Sequence, residues 1–82
     1  MYYTYILYSK YLDKFYIGSA ENVEQRLTKH ITNHKGFTGK AKDWSVEYSE
    51  QFESKYEAQI RENQIKKWKS SAMIRDLVRN RK

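Results

Sequence analysis

Two short runs near the start constrain the fold more than any other part of the chain. Tyr3–Tyr8 (YTYILY) and Phe15–Ser19 (FYIGS) are dense in aromatic and β-branched side chains, and only the polar link Ser9–Lys14 (SKYLDK) separates them. Such side chains suit a pleated, half-buried surface. A link this short turns the second run back along the first, so the pair reads as an antiparallel hairpin, with Asp13 as a turn former. Gly18 interrupts the second run. A glycine there marks a bulge, a close backbone approach to a ligand, or simply a strand end in a small sheet.

After the hairpin the period changes. Asn22 can cap a helix, with Gln25 three residues on, and Val23, Leu27 and Ile31 form a four-residue apolar stripe. The helix is expected to run to about His34, where Asn33, Lys35, Gly36 and Gly39 break the pattern. Residues 35–42 (KGFTGKAK) read as a basic, glycine-bearing loop that can bring main-chain NH groups and lysines to a phosphate backbone. Trp44, Val46, Tyr48 and Phe52 share even parity, broken by Glu50, which predicts a third strand with one buried face. Ser54 and Glu57 have capping-box spacing and open a helix to about Lys69. Ser70 or Ser71 caps a last helix with Met73, Ile74, Leu77 and Val78 on its apolar side. The order is β-β-α-β-α-α: an α+β fold in which a small three-stranded antiparallel sheet is flanked by helices.

Length and charge narrow the function. With 82 residues, the expectation is a single domain over 1–82 with one small core. There is no cysteine, so neither a disulfide framework nor a thiolate metal site is available. No apolar run approaches a membrane span and no signal-peptide pattern follows Met1, so a cytoplasmic protein without membrane attachment is expected. The net charge is +6 and its placement is uneven: residues 1–65 hold nine Lys/Arg and nine Asp/Glu, whereas 66–82 hold seven Lys/Arg against Asp76 alone. A basic terminal segment fits a nucleic acid or another acidic surface, and also fits a solvated lysine-rich helix.

Several side chains can carry chemistry, though each has an ordinary structural explanation when read alone. Arg26 and His30 lie one turn apart at the rim of the Val23/Leu27 stripe, where a guanidinium can clamp a phosphate. His30 and His34 also have the spacing of two metal ligands, but no flanking cysteine or carboxylate completes a zinc set. Glu62 falls at the border of the Ala58/Ile65/Trp68 stripe and needs a cation there: Arg26, Arg61 or a divalent ion, the plain alternative being an i,i+4 pair with Lys66 that has no function. Tyr5 and Tyr16 sit on the paired strands, as packing residues or as proton carriers.

The order of these groups is more specific than any one of them. A tyrosine strand, about ten residues, Tyr16-Ile17-Gly18, then Arg26, His30 and a later helical glutamate resembles the GIY-YIG nuclease family, and looks most like its small stand-alone members. The YIG half is intact, while Tyr3-Thr4-Tyr5 stands where the GIY half would be and keeps only its last tyrosine. The resemblance covers roughly residues 2–80. It implies an endonuclease that hydrolyses DNA phosphodiester bonds to 5′-phosphate and 3′-hydroxyl ends, in DNA repair or recombination. By the same resemblance Tyr5, Tyr16, Arg26 and His30 are catalytic, Glu62 holds one Mg²⁺ or Mn²⁺ ion, and Gly18 is a structural motif residue. Lys35, Lys40, Lys42, Lys66, Lys67 and Lys69 are the expected nucleic-acid contacts. Family nucleases usually carry a separate targeting domain, so a protein partner that supplies specificity is also expected. The alternatives are a nucleic-acid-binding module that keeps the fold without catalysis, and a protein-interaction domain with an acidic partner.

Overall fold

β1 (Tyr2–Ser9) and β2 (Lys14–Ala20) form the expected hairpin, in register from Tyr3 opposite Ala20 to Ser9 opposite Lys14. The computed structural model of the chain describes residues 1–32 and 41–80, and of residues 30–32 the backbone alone. The turn holds because Asp13 adopts the left-handed conformation that aspartate tolerates (φ 51°) and accepts a hydrogen bond from the Tyr8 hydroxyl at 2.6 Å. Helix α1 (Val23–Thr32) follows. Its start is capped as expected: Asn22 Oδ1 accepts from the Gln25 N–H at 2.9 Å. The last part of the predicted helix, Asn33 and His34, lies outside the described residues.

Strand β3 (Ser45–Phe52) pairs antiparallel with the other edge of β1, which gives the sheet order β2-β1-β3. Helices α2 (Lys55–Trp68) and α3 (Ser71–Arg79) begin at Ser54 and Ser70, whose side chains accept from the Glu57 and Met73 N–H groups. The α+β class and the β-β-α-β-α-α order are therefore as predicted.

The central strand β1 divides the core in two. Its odd residues Tyr5 and Leu7 join Ala20, Ala41 and Trp44, and the α1 stripe residues Val23 and Leu27 pack there. The even residue Ile6 joins Ile17, Ile65 and Ile74, beneath α2 and α3. Burying an apolar side chain in such a core contributes roughly 1.5–3 kcal/mol. Thr4 is a polar exception on the even face. Its hydroxyl donates to the Ala58 carbonyl at 2.6 Å, which pins α2 to the sheet without leaving a buried group unpaired.

The third strand does not have the one buried face expected from parity. Ile6 pairs with Tyr48 but Leu7 pairs with Val46, so the register shifts between them and Glu47 is the extra residue. An inserted residue turns the side chains beyond it to the other face. Trp44 and Val46 therefore lie on the α1 side, while Tyr48 and Phe52 lie on the α2/α3 side. Glu50 does not break the latter face. It points there and is paired, accepting from the Tyr48 hydroxyl at 2.6 Å and from Arg61 Nε at 3.0 Å.

Candidate active site at the edge of β2

β2 is an edge strand, and its consecutive residues face opposite layers. Gly18 and Tyr16 share the α1 face with Tyr5, whereas Ser19 shares the α2 face with Thr4. Gly18 is required by a close approach. A Cβ at this position would lie 2.6 Å from the Tyr5 hydroxyl oxygen, 2.7 Å from Tyr5 Cζ and 3.3 Å from Tyr16 Cε1. The end of the Tyr5 ring thus occupies the space that a side chain would take, with Tyr16 alongside.

On the other face, Glu62 is held at both oxygens. Ser19 Oγ donates to Oε1 at 2.7 Å and Lys66 Nζ donates to Oε2 at 2.6 Å. The Glu62 side chain is 17% exposed and that of Lys66 47%, so the pair lies at the surface with the carboxylate as its sheltered half. Lys55, Gln59, Glu62 and Lys66 fall at successive intervals of four, three and four along α2 and share one face. Lys55 and Gln59 line a cavity of about 360 Å³ together with Tyr2, Ser19, Ala20, Glu21 and Arg26, the last contributed by α1. Arg26 also lines a smaller, neighbouring hollow with Gln25 and Lys29.

The predicted groups feel one another. Burial pushes the Tyr5 phenol up to about 12 from its ordinary 10.0; Tyr16 adds to the rise, the Arg26 guanidinium opposes it, and Glu62 adds further. Tyr5, Tyr16, Arg26 and Glu62, from four different elements, are thereby brought around one strand edge. The backbone of His30 lies in α1, one turn beyond Arg26, but its side chain lies outside the described residues, as do Lys35 and Lys40.

The expected basic segment is less uniform than its charge suggests. Residues 66–80 are the end of α2, a break, and α3. The break is at Lys69, which takes the left-handed conformation (φ 50°, ψ 33°). Lys66 is engaged by Glu62. Arg75 is structural: it donates to Asp13 Oδ1 at 2.7 Å and lies over the Tyr8 and Phe15 rings at 5.7 and 5.3 Å. Lys42, Lys67 and Lys69 are exposed, and none forms an ion pair among the described residues. Of the residues that line the cleft only Arg26 was expected from the sequence; Tyr2, Ser19, Ala20, Glu21, Lys55 and Gln59 were not. The helical spacing of Lys55 and Gln59 from Glu62 was a usable signal. Ser19 offered only its place after Gly18.

A hard divalent cation fits this donor set in one way. Among the described residues no three His, Asp or Glu side chains gather as a cage. Glu62 is a single carboxylate, oriented by Ser19 and already facing a cationic group at its second oxygen. That suits an ion which takes one protein carboxylate and completes its shell with water and substrate phosphate. No described helix is long and apolar enough to cross a membrane. A family model described as the GIY-YIG catalytic domain matches residues 1–75. No curated protein sequence and no solved structure matches the chain.

Proposed function

Because the chain belongs to the GIY-YIG catalytic-domain family, and so carries a nuclease-type fold, we propose that it is a metal-dependent endonuclease that hydrolyses DNA phosphodiester bonds at the β2 edge. One observation carries this reading. Tyr16, Arg26 and Glu62, which follow Tyr5 in the family's order, all act electrostatically on the Tyr5 phenol, whose ring end is seated against Gly18 at the β2 edge.

Phosphodiester hydrolysis needs a water aligned with the leaving oxygen, a proton acceptor, and positive charge around the pentacoordinate centre. Arg26, exposed on α1 and facing the cleft, binds non-bridging phosphate oxygens. Glu62 would hold a Mg²⁺ or Mn²⁺ ion, which would supply charge stabilisation to the reacting phosphate. Ser19, which lines the cleft, fixes one oxygen of the Glu62 carboxylate. With its pKa near 12, Tyr5 stays a phenol at neutral pH. Buried against Gly18, its hydroxyl is suited to acting as a hydrogen-bond donor within the site. Proton acceptance falls to Tyr16 together with His30. Attack by water breaks the bond to the 3′ oxygen and leaves a 5′-phosphate and a 3′-hydroxyl. Lys67 and Lys69, with Lys42, contact the DNA backbone away from the reacting phosphate. Use in DNA repair or recombination, with a protein partner for specificity, belongs to the same proposal.

The test is nicking of supercoiled plasmid and of labelled branched DNA in Mg²⁺ or Mn²⁺, beside the Glu62→Ala protein. Cleavage that needs metal and is lost in Glu62→Ala is expected. Equal cleavage by both proteins overturns the assignment of Glu62. If neither protein cuts but both bind DNA with a steep salt dependence, of slope about −0.9 per neutralised phosphate, the chain is a non-catalytic binding module.

A further inference from the structure

Lys66 stands where the proposed divalent ion would approach. Its ammonium lies 2.6 Å from Glu62 Oε2, while Oε1 is fixed by Ser19 at 2.7 Å. The carboxylate therefore has a permanent hydrogen-bond donor on one oxygen and a charged, displaceable one on the other. The two donors differ in mobility. Ser19 is part of the sheet, whereas Lys66 is on a flexible stem with a side chain 47% exposed. Lys66 also continues the α2 face that carries Lys55 and Gln59 into the cleft. An ammonium expelled from Glu62 stays on the α2 face that Lys55 and Gln59 share, within reach of an incoming backbone phosphate.

We propose that Lys66 is an exchangeable internal counter-ion. It neutralises Glu62 when no metal is bound, and it is passed to a DNA phosphate when the divalent ion takes Oε2. This rests on the reading of Glu62 as the metal-binding carboxylate and adds a coupling to it. Metal binding creates one phosphate contact, and by linkage DNA strengthens metal binding by the same factor. Without DNA the lysine competes with the ion, so the free protein binds metal weakly and the loaded site assembles on its substrate.

The experiment is a Mn²⁺ titration of the protein without DNA at low salt, followed by the electron paramagnetic resonance signal of free Mn²⁺. The proteins are the unaltered chain, Lys66→Met, Glu62→Gln, and Lys14→Met as a control for the loss of one positive charge. Lys14 is exposed at the far end of β2 from Ser19. Lys66→Met is expected to bind Mn²⁺ about fivefold more tightly than the unaltered chain, the scale of one lost partly exposed ion pair. Lys14→Met is expected to match the unaltered chain, and Glu62→Gln to lose the site. Equal affinity in Lys66→Met and the unaltered chain, with Glu62→Gln weakened, overturns the counter-ion role and leaves the metal site standing. Undiminished binding in Glu62→Gln overturns the metal assignment itself. A gain in Lys14→Met equal to that in Lys66→Met overturns the proposal in favour of net charge alone. Thermal melts of all four proteins show whether each compared state is folded; the exposed position of Lys66 predicts an unchanged fold for Lys66→Met.

Discussion

Adding one methyl group at Gly18 should disturb both the stability and the site of this protein. No positive φ demands glycine here, so the effect of Gly18→Ala is steric. The new Cβ would sit 2.6 Å from the Tyr5 oxygen and 2.7 Å from Cζ. A clash with the far end of a side chain is cheap only if that end can move. Tyr5 is 1% exposed and its ring is rigid, so it must shift within the packed α1 face. Overpacking of this kind costs about 1–3 kcal/mol, offset by the ~0.5–1 kcal/mol that alanine gains over glycine in a strand. The net expectation is a loss of about 1–2 kcal/mol, measured by urea unfolding followed through Trp44 and Trp68 fluorescence. A double-mutant cycle isolates the cause. Tyr5→Leu removes the atoms that clash, so in that background Gly18→Ala should be neutral or slightly stabilising. A penalty of the same size in both backgrounds would refute the reasoning, as would a single mutant as stable as the unaltered protein.

Three further predictions concern the same layers. Thr4→Val keeps the shape of the side chain but removes the hydrogen bond to the Ala58 carbonyl, which keeps its place in the α2 ladder, and should cost roughly 0.5–1.5 kcal/mol in urea unfolding; an unchanged midpoint would mean that α2 is not pinned there. Tyr5 ionises near pH 12 when folded and at 10.0 when unfolded. Its raised pKa therefore gives stability that is intact below pH 10 and is lost as the pH rises towards 12. By pH 11 the unaltered protein should have lost about 1.4 kcal/mol relative to Tyr5→Phe, and parallel unfolding midpoints from pH 9 to 11 would contradict the burial of this phenol. Lys69 holds a left-handed conformation at the α2–α3 junction, so Lys69→Gly should stabilise the fold by about 0.5–1 kcal/mol while weakening DNA binding, a combination that thermal melts and fluorescence anisotropy would separate.

Features set by neighbouring residues were readable from the sequence. The caps at Asn22, Ser54 and Ser70 depend on groups three residues away, and each appears as expected. The faces of β3 were not readable, because the extra residue at Glu47 is defined only by pairing with β1. Parity along β3 alone could not show where the faces change. Arg75 illustrates the same limit. It counts towards the basic charge of residues 66–82, but its partner Asp13 lies 62 residues earlier and comes within reach only after α3 has docked. For the site, the sequence order of Tyr5, Tyr16, Arg26 and Glu62 was informative. The donors that orient Glu62 were less so: Ser19 gave no signal of its own, and Lys66 read as an i,i+4 neighbour or a nucleic-acid contact.

The placement of the cleft at an edge strand explains how so small a sheet can assemble it. In a strand, successive side chains leave on opposite faces. Gly18 and Ser19 use that alternation at adjacent positions: the glycine admits the Tyr5 ring on the α1 face, and the serine reaches Glu62 on the α2 face. In a central strand these two contacts would be separated by the full thickness of the sheet and enclosed by neighbouring strands. Among the described residues no strand lies beyond β2, so groups from both layers can reach around this edge. That is why a phenol on one face and a carboxylate on the other register each other's charge. The arrangement also places strict demands on β2. A one-residue slip of its register would turn Gly18 towards α2 and Ser19 towards Tyr5, which would close the space for the ring and release Glu62 together. Asp13 guards against such a slip, because it fixes the turn through Tyr8 and ties it to Arg75 of α3. Asp13→Ala should therefore impair the cleft although it lies at the opposite end of β2, and a rise in the solvent exchange of β2 amides in that variant would be the direct sign of a loosened register.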